Sequence, residues 1–407
     1  MFTGATAAFL QGAEVPAHQL QQQLTLTVQW DFMQQLHAQL AAQLQQPPGP
    51  IMRCPGGQFF TASISNQAVH ISCELNTVLQ MNPNRVAIDQ QQKSSRAAPG
   101  RQPWCESLLS VRSSRGAAPE LVACVNARLQ EMQAELTHAN AQVWAQAEAA
   151  DAWLNKVGSP AEAAAWLQQD PLLRLGRQLC RHLPEDLAGV KLINLMGSNG
   201  TKAVAAALMG AAVTCVDISP SNAQYGQQLA AAAGVEVAFV VSDVLQLHPK
   251  EHHGQYDIVL LELGVLHYFV DLLPLMAKVA QLLAPGGRLL LREFHPMSTK
   301  LISSKGKKHK VAGDYFSQTL VDSQVAYSKY NTNTNSSSSS SSDSSTAGRV
   351  RLRQWTLGEV VSSVAAAGLV LQVLEEEPGV KLADAGLPKL FTLVAQKPAG
   401  DVLGSSR

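Results

Sequence analysis

The stretch Val190–Ser219, VKLINLMGSNGTKAVAAALMGAAVTCVDIS, constrains the fold of this chain more than any other. An apolar run leads into Gly197-Ser198-Asn199-Gly200, then a small-residue segment, a second apolar run and a single acid, Asp217. Two apolar runs joined through a glycine turn and a helix make a strand–helix–strand unit with parallel strands. Glycine serves where the backbone turns with positive φ or where a ligand approaches closely. The helix start offers unpaired N–H groups to an anion. GSNG alone would suit an ordinary strand-to-helix turn. Asp217, however, closes the next strand 17 residues after Gly200. That spacing suits a carboxylate accepting from both hydroxyls of a ribose, so the unit reads as a nucleoside-cofactor site.

The same rhythm continues downstream. Strands are predicted at Lys191–Met196, Ala212–Asp217, Glu236–Ser242, Tyr256–Glu262 and Gly287–Phe294, with helices at Gly200–Met209, Pro220–Ala233 and Val270–Leu283. Short links between alternating strands and helices imply a parallel sheet covered on both faces. After Trp355 come a helix to Ala367 and strands at Leu369–Leu374 and Leu390–Ala395, separated by Glu375–Gly379 and Gly386–Pro388. Without a crossover helix, those two form an antiparallel hairpin. The expected fold is α/β: a doubly wound, seven-stranded, mostly parallel sheet with an antiparallel last strand.

The 407 residues leave room for more than this core. Residues 1–140 are read as a poorly ordered or partly helical extension, with Gln clusters at Gln21–Gln23 and Gln90–Gln92. Helical spacing runs from Leu20 to Leu44 and again from Pro119 to about Ala150. The domain built on this core is read as 141–397, with a helical lead-in at 145–187, a core at 188–297, an insert at 298–350 and the helix and hairpin at 355–397. Ser159-Pro160-Ala161-Glu162 is a helix start. Trp153, Trp166 and Leu172 are spaced for packing. The insert carries a basic cluster, Lys305–Lys310, then Gly313–Phe316 and the serine run Ser336–Ser342, which reads as a flexible loop. Residues 398–407 are a tail.

Lys plus Arg equals Asp plus Glu at 31 each, so no whole-chain field favours nucleic acid. No run of 18 apolar residues predicts a membrane span. Cys54, Cys73, Cys105, Cys124, Cys180 and Cys215 form neither C-x-x-C pairs nor a zinc spacing, so reduced thiols and no metal are expected. Reduced thiols favour an intracellular location. The first 50 residues lack both Lys and Arg, which places the cytoplasm ahead of a chloroplast or mitochondrion.

Further candidates end the later strands. Ser242-Asp243-Val244 follows the third; Asp243 suits the exocyclic amine of an adenine, with Val244 against the ring, or is a turn cap. Glu262-Leu263-Gly264-Val265-Leu266-His267-Tyr268 follows the fourth, where ligands of open α/β sheets sit. His267 is a candidate general base or a satisfied, partly buried histidine. His295 closes the fifth strand at the same edge.

Taken in order, GSNG, VDIS, SDV, YDIVLLELGVLHY and LLAPGGRLLLREFHP resemble a class I S-adenosylmethionine-dependent methyltransferase of a small-molecule, type 11/12-like branch, over about 150–397. The usual loop of that family is acid-x-Gly-x-Gly-x-Gly. Here Asn194 stands at the acid, and Ser198 is read as replacing a small Cys or Ala. The resemblance implies S-adenosyl-L-methionine as cofactor. Gly197, Ser198, Asn199 and Gly200 would line its methionine portion, and Asp217 with Ile218 its ribose side. Asp243 and Val244 would hold the adenine, and Leu263 and Gly264 would lie beside the sulfonium. It implies a small-molecule acceptor, with His267 or His295 as base if a proton must leave. Tyr268 and Tyr315 would face the sulfonium or the acceptor, and the insert would be a lid. An NAD(P)-dependent oxidoreductase would also use Asp217, but G-x-G-x-x-G is absent. A non-catalytic scaffold that binds the cofactor is the third reading.

Overall fold

The computed structural model describes residues 13–15, 24–27, 30–43, 46, 48–54, 57–64, 67–74, 85–87, 104–106, 108–113, 118–145, 154–305, 308–325, 349–379 and 386–400. Gln21–Gln23, Gln90–Gln92, Trp153 and Ser336–Ser342 lie outside them. The chain divides into two units, Met1–Gln133 with Phe316–Thr319, and Ala134–Tyr315 with Leu320–Arg407.

The first unit holds more strand than its Gln-rich composition suggests. A four-stranded sheet has the order β1 (Leu24–Thr27), β4 (Gln67–Glu74), β3 (Gly57–Ile64), β2 (Met52–Cys54). β3 and β4 form an antiparallel hairpin from Gly57↔Glu74 to Ile64↔Gln67, and β1 runs parallel to β4. The helix α1 (Trp30–Gln43) follows β1. Met33, Phe60, Ala62 and Val69 form a small core. β5 (Arg85–Ala87) and β6 (Trp104–Glu106) pair separately. A second cluster joins Leu108 and Val111 of α2 (Leu108–Ser113) to Leu121, Val125 and Leu129 of α3 (Pro119–Trp144).

The second unit carries the predicted sheet. Its strands are β7 (Lys191–Leu195), β8 (Ala212–Asp217), β9 (Val237–Val241), β10 (Tyr256–Glu262), β11 (Leu283–Phe294), β16 (Val370–Pro378) and β17 (Pro388–Gln396), in the spatial order β16-β17-β11-β10-β7-β8-β9. All neighbouring pairs from β9 to β11 are parallel. β17 enters antiparallel between β11 and β16. The direction of winding reverses between β7 and β10, which opens a crevice at their carboxyl ends. The buried strands are near-continuous apolar runs: Leu192, Ile193, Leu195, Val259, Leu261, Leu289, Leu290 and Leu291 are all essentially inaccessible.

Helices follow the predicted starts. α4 (Pro160–Gln169) begins with a full capping box between Ser159 and Glu162. α5 (Pro171–Leu175) and α6 (Arg177–Cys180) lead into β7. α7 (Thr201–Leu208) and α8 (Pro220–Ala233) connect β7, β8 and β9, and Gly234 ends α8 in the left-handed region. α9 (Pro249–His252) and α10 (Leu272–Leu282) flank β10. Two ribbons interrupt the return: β12 (Ile302–Lys305) with β13 (Lys308–Val311), and β14 (Leu320–Gln324) with β15 (Arg349–Arg353). α11 (Leu357–Ala366) then precedes the final hairpin.

One predicted break is absent. Glu375–Pro378, read as a separator, continues β16. Each acid has a basic side chain beside it there: Glu375 has Arg181 and His182, Glu376 has His295, and Glu377 has Arg292. Paired carboxylates lose the repulsion that makes three consecutive acids poor strand formers.

Candidate active site

The loop after β7 is wound unusually tightly. Met196, Ser198 and Gly200 have φ of 51°, 54° and 74°, so every second residue is left-handed. These are the three glycine positions of the acid-x-Gly-x-Gly-x-Gly pattern counted from Asn194. Ser198 therefore occupies a glycine position, not the small Cys or Ala position assigned from sequence. Holding a side chain there costs about 1 kcal/mol. Gly197 is glycine for a different reason. A Cβ on it would lie 2.5 Å from Cys215 Sγ and 2.8 Å from Asn194 Oδ1. A Cβ on Gly200 would meet the Phe239 ring at 2.7 Å. Gly226 of α8 faces the same ring and the Asn199 carbonyl, a constraint that a lone glycine inside an alanine-rich helix signals in the sequence.

Loop and acid are one hydrogen-bonded unit. Ser198 N–H donates to Asp217 Oδ2 (2.8 Å), while Ser219 N–H and the Asn222 amide donate to Oδ1 (2.9 and 3.0 Å). Burial pushes the Asp217 carboxyl up, and the three donors pull it back. A carboxylate has about four acceptor positions, so one is left on Oδ2.

Other site candidates divide by how the chain already uses them. Asn199 turns inward, its Oδ1 accepting from Thr201 Oγ1 (2.8 Å) at the start of α7. Asp243 caps a short helical turn through Leu245 N–H (3.0 Å), leaving Oδ2 without a partner among the described residues, and Val244 is buried beside it. Ile218 is half-buried. Among the described residues, the buried Asn194 Oδ1 and Ser198 Oγ near the loop have no hydrogen-bond partner.

The loop after β10 starts with Leu263 at φ 53° and Gly264 at φ 84°. Glu293, 2% exposed, holds it: Oε1 accepts from Gly264 N–H (2.5 Å) and Phe294 N–H (2.7 Å), and Oε2 from Leu266 N–H (3.2 Å). Glu293 was missed in the sequence; its one signal is an acid inside the apolar LLLREF strand. Glu262 belongs to an inner charge network with Lys202 (3.0 Å) and Arg292 (3.6 Å), and Arg292 pairs bidentately with Glu377.

The two candidate histidines differ sharply. His267 Nδ1 faces the Arg353 carbonyl at 2.9 Å. A carbonyl only accepts, so Nδ1 carries a proton, and the lone pair of the neutral ring is on Nε2. His295 is turned toward the far edge of the sheet. Its Nδ1 accepts from Met297 N–H (3.1 Å), and Nε2 lies 2.6 Å from Glu376, close but off the line of the ring N–H. The chain thus engages Nδ1 of His295 with a hydrogen bond and sets a carboxylate beside Nε2.

The last turn of α3 reaches the same edge. Trp144 Nε1 donates to Tyr268 Oη (3.0 Å), and Ser219 Oγ donates to the Trp144 carbonyl (3.4 Å). Asn140 exchanges two hydrogen bonds with Arg351 of β15. Tyr315 Oη accepts from Leu357 N–H (3.3 Å) at the start of α11. Among the described residues, no group of three or more His, Cys, Asp or Glu is placed to hold a metal, and no helix is long and apolar enough to cross a membrane.

Residues 196–291 match the family model described as a methyltransferase domain. Over this segment the resemblance read from the motifs is borne out. The chain is 34% identical over 87 residues to a demethylmenaquinone methyltransferase of Thermus thermophilus, covering 21% of this chain and 38% of that relative. Similar solved structures include an S-adenosylmethionine-dependent methyltransferase from Mesorhizobium loti (18% identity, 54% of this chain and 96% of that one, TM-score 0.41). Another is magnesium protoporphyrin IX methyltransferase from Synechocystis with bound SAH (16% identity, 61% and 93%, TM-score 0.37).

Proposed function

We propose that this chain transfers the methyl group of S-adenosyl-L-methionine to a small-molecule acceptor. The observation that carries the reading is the bond from Ser198 N–H to Asp217 Oδ2, which makes the glycine loop and the ribose acid one preformed cradle at the switch point. The residues fit the cofactor: Ser198 Oγ, on the loop itself, is buried with no hydrogen-bond partner among the described residues. The reading assigns residues 141–397 to the enzyme domain, with 298–350 as its lid, 1–140 as an extension and 398–407 as a tail. An intracellular site of action agrees with free thiols at Cys124, Cys180 and Cys215.

When bound, the cofactor supplies an already activated sulfonium methyl. Asp217 accepts from one ribose hydroxyl and Asp243 Oδ2 from the adenine amine, with Ile218 and Val244 giving apolar contact. The backbone at Gly197 and Gly200 would line the methionine portion, and Ser198 would offer its hydroxyl there. Leu263 and Gly264, fixed by Glu293, border the transferring methyl. His267 Nε2 takes a proton from an acceptor that must lose one. The Trp144–Tyr268 pair excludes water from the sheet edge and offers ring faces to a cation. His295 is assigned a structural part, because Met297 N–H already binds its Nδ1 and Glu376 covers its Nε2 side.

Incubation of the protein with methyl-labelled cofactor and a cell-extract metabolite pool tests this. The expected result is a labelled small molecule whose formation adenosylhomocysteine inhibits. Label recovered in no product, with a folded protein, overturns the reading.

A further inference from the structure

Three consecutive residues at the end of β15, Arg353–Trp355, tie down both loops at the ligand-bearing edge. The Arg353 carbonyl accepts from His267 Nδ1 (2.9 Å), the Gln354 carbonyl from Lys300 Nζ (2.8 Å), and Trp355 Nε1 donates to the Leu266 carbonyl (2.8 Å). Lys300 lies in the helical turn Met297–Leu301 that follows β11. The Arg353 guanidinium is itself locked. Nη1 donates to the Val270 carbonyl (2.5 Å) and Nη2 to Glu359 Oε1 (2.8 Å), and the group stacks 3.7 Å over the Trp355 ring. Glu359 in turn closes the capping box of α11 with Thr356. Arg353, Trp355 and Lys300 are 4%, 4% and 5% exposed.

The turn Leu266–Val270 is therefore gripped at its beginning by Trp355, in its middle by the Arg353 backbone and at its end by the Arg353 side chain. An arginine fork is needed for this, since one cation must reach a carbonyl and a carboxylate in fixed directions while stacking on an indole. We infer that Arg353 and Trp355 are positioning residues for His267: they hold its ring with Nδ1 protonated and Nε2 free as an acceptor. The inference deepens the role given to His267 above and rests on that reading. It also explains why the chain returns from its insert through Arg353–Trp355 directly into α11, whose Glu359 completes the grip.

The experiment follows the imidazole nitrogens of the full chain by 15N-detected NMR, with and without saturating adenosylhomocysteine, the His267 signals being identified by their loss in His267→Gln. The wild-type protein is expected to show His267 as a single Nδ1–H tautomer with a slowly exchanging proton. Arg353→Lys keeps the charge but not the fork, and is expected to give mixed tautomers and at least tenfold faster proton exchange. Trp355→Phe, a milder change, is expected to shift the same signals less. Both variants are expected to bind adenosylhomocysteine within threefold of wild type. An Nε2–H tautomer in the wild type overturns the inference. So does a His267 signal unchanged in both variants, or cofactor binding lost together with the tautomer, which would mark a general structural role. If adenosylhomocysteine binds to none of the proteins, the methyltransferase reading falls while the tautomer data still decide the positioning.

Discussion

Replacing Gly197 by alanine tests whether the cofactor loop is packed as tightly as described. Gly197 is not among the residues with positive φ, so alanine meets no backbone penalty there. Its cost is steric alone. The new Cβ would sit 2.5 Å from Cys215 Sγ, 2.8 Å from Asn194 Oδ1 and 3.1 Å from Asn194 Cγ, against about 3.5–4.0 Å for relaxed contacts. Something must move by about 1 Å, and both neighbours are held: Cys215 is 1% and Asn194 2% exposed, on paired central strands. Overpacking of this kind costs about 1–3 kcal/mol. Cys215→Ala removes the closer atom and opens a small void of its own, at about 1 kcal/mol. In the Cys215→Ala background, Gly197→Ala is therefore expected to cost at least about 1 kcal/mol less than alone, a favourable coupling. Urea unfolding of the four proteins reads the cycle. A Gly197→Ala change within about 0.5 kcal/mol of wild type, or a cost that Cys215→Ala leaves untouched, refutes the packing argument.

Three more outcomes are expected. Burial pushes the Lys300 ammonium down to about 8, so between about pH 8 and 10.5 the unfolded chain holds a proton that the folded chain does not. Lys300 must then contribute a rise in stability with pH across that window, by up to about 3 kcal/mol, against the opposite trend from the buried Cys215, Tyr225 and Tyr256, whose hydroxyl or thiol burial pushes up; urea midpoints of wild type minus Lys300→Met at each pH read the Lys300 part. Ser198→Gly relieves a left-handed φ of 54° but frees the unfolded chain, so its unfolding free energy should lie within about 1 kcal/mol of wild type, whereas β-branched Ser198→Val should lose more than that. Glu293→Gln turns an acceptor into a donor facing one of three backbone N–H groups, and is expected to lose about 2 kcal/mol in thermal unfolding.

The sheet of the second unit was legible almost residue for residue because its strands are short apolar runs ended by Gly, Asp or Pro. β8, β10 and α8 begin and end where they were predicted. The hairpin β3–β4 was not read, although FFTASISNQAVHIS alternates and places Phe60, Ala62 and Val69 in one core. Its Gln, Ser and Asn content masked the period. Asp217 was found from spacing, but its three internal donors lie on Ser198, Ser219 and Asn222, which no pattern announces. His267 and His295 looked alike in sequence. What separates them is a carbonyl 86 residues away for one and a strand-borne glutamate for the other, both tertiary facts.

The central claim is that Asp217 and its loop form the cofactor cradle. Calorimetric titration of the wild-type protein and Asp217→Ala with adenosylhomocysteine and, separately, NADH tests it most directly. The account predicts one saturable adenosylhomocysteine site in the wild type, no NADH binding, and at least a hundredfold weaker adenosylhomocysteine binding in the variant, a loss of about 2.7 kcal/mol. A folded wild-type protein that binds NADH instead, or an Asp217→Ala protein that binds adenosylhomocysteine as tightly as wild type, contradicts it.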